Sequence, residues 1–191
     1  MSCQFTLSKS DRAALLASLD RYPPHYDESF DEVAVRIATN GHATKLDIGG
    51  LAAWKRLRCD TPWVERLQNL PQVSVTKATK KAFGSGLTSP AERVESLRTD
   101  LKHGMGGAFA LGSALLTAWN QKDFAVTDRR AREGLRSLVR PLECNCELFH
   151  YPTYLAHVVE VRNQLATANP DRSFSAREID KALYELLAGS G

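Results

Sequence analysis

The feature that most constrains the fold is a helical repeat of apolar residues. Within residues 30–38, apolar side chains stand at Phe30, Val33, Ala34, Ile37 and Ala38. Intervals of three and four place these side chains on one face of an α-helix, whereas the alternating side chains of a β-strand would not bring them together. Residues 72–76 come closest to a strand, but they lack a clean alternation between turn signals. We therefore predict an all-α fold in which this segment is helical too.

Two capping signals predict where helices begin. Ser89 with Glu92, and Ser175 with Glu178, have the spacing of a capping box. In that motif the hydroxyl and the carboxylate each satisfy a backbone N–H that has no partner within the helix. Pro90 also stands at a first helical position, where its missing N–H costs nothing. We predict helix starts at both places.

Length and charge limit the organisation and the partners. A chain of 191 residues with 43% hydrophobic residues is long enough for one substantial core and short for two, so we predict a single helical domain over residues 1–191. The formal net charge of +3 excludes a protein that coats nucleic acid by charge alone. We expect a monomer.

The sequence shows no targeting or membrane signal. The first residues lack a basic segment followed by an apolar core, and the longest apolar stretch, residues 106–119, falls short of the roughly 20 residues that span a bilayer. We expect no membrane partner and a cytoplasmic location, associated with the nucleoid if the source is prokaryotic.

Cysteine and histidine spacing predicts neither a metal nor another cofactor. The cysteines at positions 3, 59, 144 and 146 do not form a pair of Cys-x-x-Cys elements, and an iron–sulfur loop needs four clustered cysteines. The five histidines contain no His-x-x-x-His pair.

The segment with the most chemical information is a helix, a glycine turn and a second helix, at about residues 89–119. Residues 89–101 and 107–119 have helical character, and Gly104-Met105-Gly106 stands between them. Glycine permits positive backbone dihedrals, and it leaves amides bare at a helix N-terminus, where a phosphate can approach. This arrangement predicts a clamp for a phosphate backbone.

Asp128 follows the second helix after a short connection and precedes an arginine-rich segment that we predict to be helical. At a helix N-terminus the dipole favours an ionised carboxylate. Asp128 is therefore better suited to stabilising positive charge or activating water than to donating a proton. Its alternative interpretation is a simple N-cap.

The Gly-Met-Gly turn, the alanine-rich helix and Phe-Ala-Val-Thr-Asp128 resemble the signature of the helix-hairpin-helix superfamily of DNA glycosylases, over about residues 101–136. The resemblance implies a compact multi-helix fold with a central cleft, in which amides beside Gly104 and Gly106 bind phosphate and Asp128 is catalytic. Bifunctional members carry a nucleophilic lysine two residues after the second hairpin glycine, where this chain has Ala108. The resemblance thus implies a monofunctional enzyme that leaves an abasic site.

Local charge and aromatic residues extend the expected DNA contacts. Residues 98–140 contain eight Lys or Arg and four Asp or Glu, so the basic excess is concentrated there. The residues expected to contact DNA are Lys102, His103, Gly104, Met105, Gly106, Gly107, Arg129 and Arg130. Trp54 and Lys55 are candidates for a base pocket, since an indole stacks on a base and a cation holds phosphate. A structural Trp54 beneath exposed cations is the alternative.

The sequence predicts a DNA glycosylase that acts on double-stranded DNA with a damaged or modified base, in repair or in defence against modified foreign DNA. The hairpin departs from the family's Leu-Pro-Gly-Val-Gly, because it has Lys-His-Gly-Met-Gly. That departure leaves open a non-catalytic helix-hairpin-helix DNA-binding module. A helical protein-interaction domain is the more distant alternative.

Overall fold

A computed structural model of the chain describes residues 5–56, 61–101, 109–139 and 150–187. These residues form α-helices, one 3-10 turn at Pro24–Tyr26 and connecting loops, without a strand. The prediction of an all-α fold is confirmed. The helices of this described part are α1 (Lys9–Arg21), α2 (Glu28–Asn40), α3 (Lys45–Trp54), α4 (Thr61–Asn69), α5 (Gln72–Phe83), α6 (Pro90–Leu101), α7 (Phe109–Trp119), α8 (Arg129–Leu138), α9 (Tyr151–Ala168) and α10 (Ala176–Leu186).

Both predicted capping boxes are present. The Ser89 and Glu92 side chains each accept from the other's backbone N–H, at 3.1 Å and 3.0 Å, and α6 begins at the next residue. Ser175 and Glu178 do the same at the start of α10. Residues 72–76 lie in α5, as predicted. Two further capping boxes, Ser8 with Asp11 and Thr44 with Asp47, start α1 and α3.

The contacts divide the chain into two compact units. The terminal unit is drawn from Met1–Pro23 and Gln121–Gly191, and it contains α1, α8, α9 and α10. Its buried side chains include Leu15, Tyr151, Tyr154, Val158 and Leu183. Gln164 on α9 binds the backbone of residues 5–7, because its side-chain amide accepts from Leu7 N and donates to Phe5 O.

The central unit comprises Pro24–Asn120 and contains α2 to α7. The apolar face predicted for α2 is buried at Phe30, Val33, Ala34 and Ile37, and it packs against α3 and α7. Ala38, predicted on that face, is exposed. Ala38 lies one residue after Ile37, near the end of the helix, and its side chain is at the edge of the apolar face rather than at its centre.

Of the helix-hairpin-helix element predicted for about residues 89–119, the structure describes the two helices. These helices are α6 and α7, which contact each other within the central unit. No helix in the described part of the chain has the length and apolar character needed to cross a membrane.

Candidate active site

Asp128 is the N-cap of α8, at the helix start predicted from the sequence. Its backbone is extended (φ −134°, ψ 151°), and its Oδ1 accepts a 2.7 Å hydrogen bond from Arg130 N. The side chain is half-buried. The bond satisfies one of the N–H groups that a helix start leaves without partners, and the positive end of the helix favours an ionised carboxylate.

The segment before Asp128 is fixed by buried polar side chains from α9 and α10. Residues 124–127 are all buried. Val126 N donates to Asp180 Oδ2 at 2.7 Å, and Tyr151 Oη donates to Ala125 O at 3.1 Å. Tyr154 Oη lies 3.5 Å from Val126 O. Consecutive peptide groups are thus held from both sides, so the backbone that carries Asp128 has a defined position.

Asp180 belongs to a buried ion pair. Its Oδ1 accepts from Arg177 Nη1, and both residues are 3% exposed. Arg177 Nη2 also donates to Tyr22 Oη at 3.2 Å. A buried charge pair is tolerated only when hydrogen bonds satisfy its remaining atoms. The Val126 amide and the Tyr22 hydroxyl each contribute one such bond.

The two tyrosines on α9 keep their protons. Burial raises the pKa of Tyr151 and of Tyr154 well above the ordinary range. For Tyr154 the negative charges of Asp180 and Asp128 add to the rise in pKa. Both hydroxyls therefore remain donors to the carbonyls before Asp128 at any physiological pH.

The first turn of α8 lacks the acid that the capping boxes supply in three other helices. The capping boxes of α1, α3 and α10 each place an acid there, at Asp11, Asp47 and Glu178. That sign is the one the helix dipole favours. In α8 the first turn carries no acid, and the residues after Asp128 are arginines at 129, 130 and 132. The carboxylate of Asp128 is therefore followed by arginines whose positive charge is unfavourable at the positive end of the helix dipole.

The two predicted DNA-contact arginines in this turn differ in their surroundings. Arg129 has a side chain that is 87% exposed, and its Nε lies 2.8 Å from Glu133 Oε1. That hydrogen bond raises the pKa of Arg129. Arg130 is half-buried, and its guanidinium carbon lies 4.6 Å from the centre of the Tyr184 ring.

A glycine brings α8 close to α10. A Cβ added at Gly134 would lie 2.1 Å from the carbonyl oxygen of Leu183. The two backbones meet without an intervening side chain, which explains why residue 134 is a glycine. This contact positions α8, and hence Asp128 at its start, against the helix that carries Asp180.

Trp54 and Lys55, the base-pocket candidates, are in the central unit. Trp54 Nε1 donates to Tyr26 O at 2.7 Å, and its ring lies 4.7 Å from that of Phe30. Lys55 Nζ lies 5.8 Å from the Trp54 ring. These contacts agree with the structural alternative for Trp54, and a role in base binding stays a prediction.

The hairpin candidates lie outside the described residues. They are Lys102, His103, Gly104, Met105, Gly106 and Gly107. Ala108, which stands at the position of the family's lysine, and the four cysteines lie outside them as well. Their expected roles stay predictions.

Two cavities are lined by described residues. One, of about 1110 Å³, borders α9 and has Phe5, Arg12, His157 and Glu160 in its wall. The other, of about 480 Å³, is lined by residues of α3 and α4. Neither contains Asp128, Trp54 or Lys55 in its wall.

Three residues around Asp128 were not singled out in the sequence. Asp180 had a detectable signal, since it lies between Ala176 and Leu183 on the apolar face of α10. A charge on such a face indicates a buried polar contact. Tyr184 and Gly134 had none, because their partners are brought to them by the packing of α8 against α10.

Comparison with protein-family models, curated proteins and solved structures gives no match to this chain.

Proposed function

We propose that this protein is a monofunctional DNA glycosylase whose catalytic carboxylate is Asp128. The observation that carries the proposal is the first turn of α8, where a carboxylate N-cap is followed by arginines at 129, 130 and 132. A capping carboxylate alone is ordinary. Cations in the same turn oppose the helix dipole, and departures from such local rules concentrate at functional sites. Glu133 offsets the charge of Arg129, and an external anion such as a DNA phosphate would offset the charge of Arg130.

The proposed reaction is hydrolysis of one N-glycosidic bond. The bond between C1′ of the deoxyribose and the base nitrogen breaks, and its electron pair leaves with the base. The oxygen of a water molecule bonds to C1′, one water proton leaves, and the released base takes up a proton. Asp128 would stabilise the positive charge that develops on the sugar or orient the water. The products are a free base and an abasic site.

The proposed substrate is double-stranded DNA with a damaged or modified base. A base inside a duplex is out of reach of a side chain, so the nucleotide must first be extruded. The predicted hairpin at residues 102–107 would bind the DNA backbone through its amides. Because position 108 is alanine, no amine stands where the family forms its Schiff base. This chemistry would serve either repair or defence against modified foreign DNA.

The test is release of a base that depends on the charge of Asp128. Genomic DNA from several cellular and phage sources is incubated with the protein, released bases are identified by mass spectrometry, and abasic sites are converted to strand breaks by hot alkali. Asp128→Asn is the central variant, because Asn caps a helix about as well as Asp. It removes the charge while the fold is retained. We expect excision to fall by at least about 100-fold.

Asp123→Asn is the matched control. It removes the same charge five residues earlier, at an exposed carboxylate that lies 3.7 Å from Arg162. We expect normal excision from it. Salt-sensitive DNA binding without base release from any substrate would refute the enzyme and favour the DNA-binding module. Absence of DNA binding would favour the protein-interaction domain.

A further inference from the structure

Arg130 is a half-buried cation whose guanidinium packs on an aromatic ring. Its guanidinium carbon lies 4.6 Å from the centre of the Tyr184 ring. Among the described residues, no carboxylate side chain forms an ion pair with it. A guanidinium over a ring face keeps its in-plane N–H groups available to a planar or tetrahedral oxyanion. The positive charge of Arg130 is thus held in place without being neutralised by an acid.

Tyr184 is itself held by its surroundings. It lies in the last turn of α10, one residue after Leu183, whose carbonyl group packs against Gly134. The edge of its ring meets the Tyr22 ring, with centres 6.3 Å apart and planes at 74°. A ring fixed in this way lowers the entropy cost of holding an arginine in one conformation.

Arg130 and Asp128 are joined directly through the backbone. The backbone N–H of Arg130 donates to Asp128 Oδ1 at 2.7 Å, so the main chain at Arg130 has a fixed position relative to the carboxylate. In a nucleotide, phosphodiester groups flank the sugar on both sides. A carboxylate that faces C1′ of an extruded nucleotide therefore needs a cation a short distance away to hold one of those phosphates.

We propose that Arg130, positioned by the ring of Tyr184, binds a phosphodiester group that flanks the nucleotide facing Asp128. The inference rests on the proposed function, and it separates the two neighbouring arginines. Arg129 is largely exposed and paired with Glu133, so its contribution to binding is the smaller one. Tyr184 is a positioning residue that acts through Arg130.

The first test measures DNA affinity as a function of salt. The probe is a fluorescent duplex with a central tetrahydrofuran abasic analogue, titrated by anisotropy across about 50–300 mM KCl. We expect Arg130→Gln to weaken binding about tenfold at low salt. We expect it to reduce the slope of log K against log salt by about 1, since one phosphate contact is lost. Arg129→Gln should show a clearly smaller loss.

Arg172→Gln is the matched control. Arg172 also lies over an aromatic ring, 4.8 Å from the centre of Phe174, and its Nη2 is 3.8 Å from Glu178. It precedes the start of α10, whereas Tyr184 lies in that helix's last turn. The variant removes the same charge and the same type of contact, and we expect wild-type affinity and slope from it.

The second test removes the ring. Tyr184→Phe keeps the aromatic face and should bind like wild type, whereas Tyr184→Leu should lose part of the affinity that Arg130→Gln loses. The double variant Arg130→Gln/Tyr184→Leu should lose no more than Arg130→Gln alone, because the ring acts only through the arginine. Thermal unfolding of each variant checks the fold, and a purely structural role for Tyr184 would give additive losses.

The outcomes separate this inference from the proposed function. If wild type excises a base while Arg130→Gln matches Arg172→Gln in affinity and salt slope, the phosphate contact is refuted and the enzyme stands. If Arg130→Gln weakens DNA binding as expected but no base is released from any substrate, the glycosylase is refuted and the phosphate contact stands. Additive losses in the double variant would refute the positioning role of Tyr184.

Discussion

The contacts within the terminal unit differ from the contacts within the central unit. In the terminal unit, buried polar groups link residues that are far apart in the sequence, such as Val126 with Asp180 and Arg177 with Tyr22. The central unit buries the apolar faces of its helices, and a buried hydrogen bond there joins Ala43 N to Thr79 Oγ1, 36 positions away. The candidate carboxylate, Asp128, lies in the terminal unit, next to the bond between Val126 and Asp180.

This difference gives a physical reason for placing the candidate site beside the polar network. Apolar packing is non-directional and tolerates small shifts of one helix against another. Hydrogen bonds to consecutive peptide groups fix a backbone in both position and direction. A carboxylate that must act on one bond needs such support, since small displacements cost much of its effect.

The largest effect is expected from breaking the buried pair. Asp180→Asn removes the charge that balances Arg177 and weakens the acceptor of Val126 N. Breaking a buried ion pair costs about 3–5 kcal/mol, because the remaining charge is left without compensation. Urea denaturation measures this loss, and hydrogen exchange at the Val126 amide should accelerate with it.

Asp47→Asn in the central unit is the comparison for that variant. Asp47 is also buried, but it completes the capping box of its own helix with Thr44 and pairs with Arg36, whose side chain is 41% exposed. We expect it to lose only about 1 kcal/mol. If the two variants lost equal free energy of unfolding, the buried pair at Asp180 would be no more important to its unit than Asp47 is to the central unit.

The second effect concerns glycines within helices. In the terminal unit, Gly134→Ala places a methyl group against the Leu183 carbonyl, so α8 and α10 must separate. We expect a loss of about 2–3 kcal/mol. In the central unit, Gly49 lies in α3 with nothing within 4 Å of an added Cβ. Gly49→Ala should stabilise by up to about 1 kcal/mol, because alanine is the better helix former.

Thermal unfolding of both glycine variants gives the measurement, and the opposite signs make each the control of the other. A neutral Gly134→Ala would mean that the close approach of α8 to α10 is dispensable. If excision is established, Gly134→Ala should also reduce its rate at a temperature where the variant remains folded, whereas Gly49→Ala should leave the rate unchanged.

The third effect is a dependence on alkaline pH that comes from two tyrosines of the terminal unit. Burial raises the pKa of Tyr151 and Tyr154, so both stay protonated in the folded protein while their unfolded counterparts ionise near pH 10. Their contribution to stability is complete below that pH and falls as pH rises above it. The expected loss is about 1.4 kcal/mol per pH unit for each tyrosine.

The measurement is the free energy of unfolding between about pH 8 and pH 11. In the double variant Tyr151→Phe/Tyr154→Phe, the free energy of unfolding should fall less steeply with pH above about pH 10. Only the pH dependence that comes from other groups should remain. If the wild type and the double variant have parallel curves, the two hydroxyls ionise as easily in the folded protein as in the unfolded chain.

Much of the helical pattern was predictable, because it depends on residues close together in the sequence. The capping boxes at Ser89 and Ser175, the apolar face from Phe30 to Ile37 and the N-terminal position of Asp128 follow from spacings of two to seven residues. Ala38 was the error, since periodicity gives a face but does not show where a neighbouring helix stops covering it.

The sequence by itself determined the helices, their starts and the placement of one carboxylate before a run of arginines, since these follow from backbone hydrogen bonds within a few residues. Only the tertiary structure decided that Asp180 and the tyrosines of α9 hold the segment before Asp128, and that Tyr184 lies beneath Arg130. Those partners are 26 to 54 residues from the groups they contact. The physical reason is that such pairs form only when helices pack, and packing depends on shape and burial summed over the whole unit.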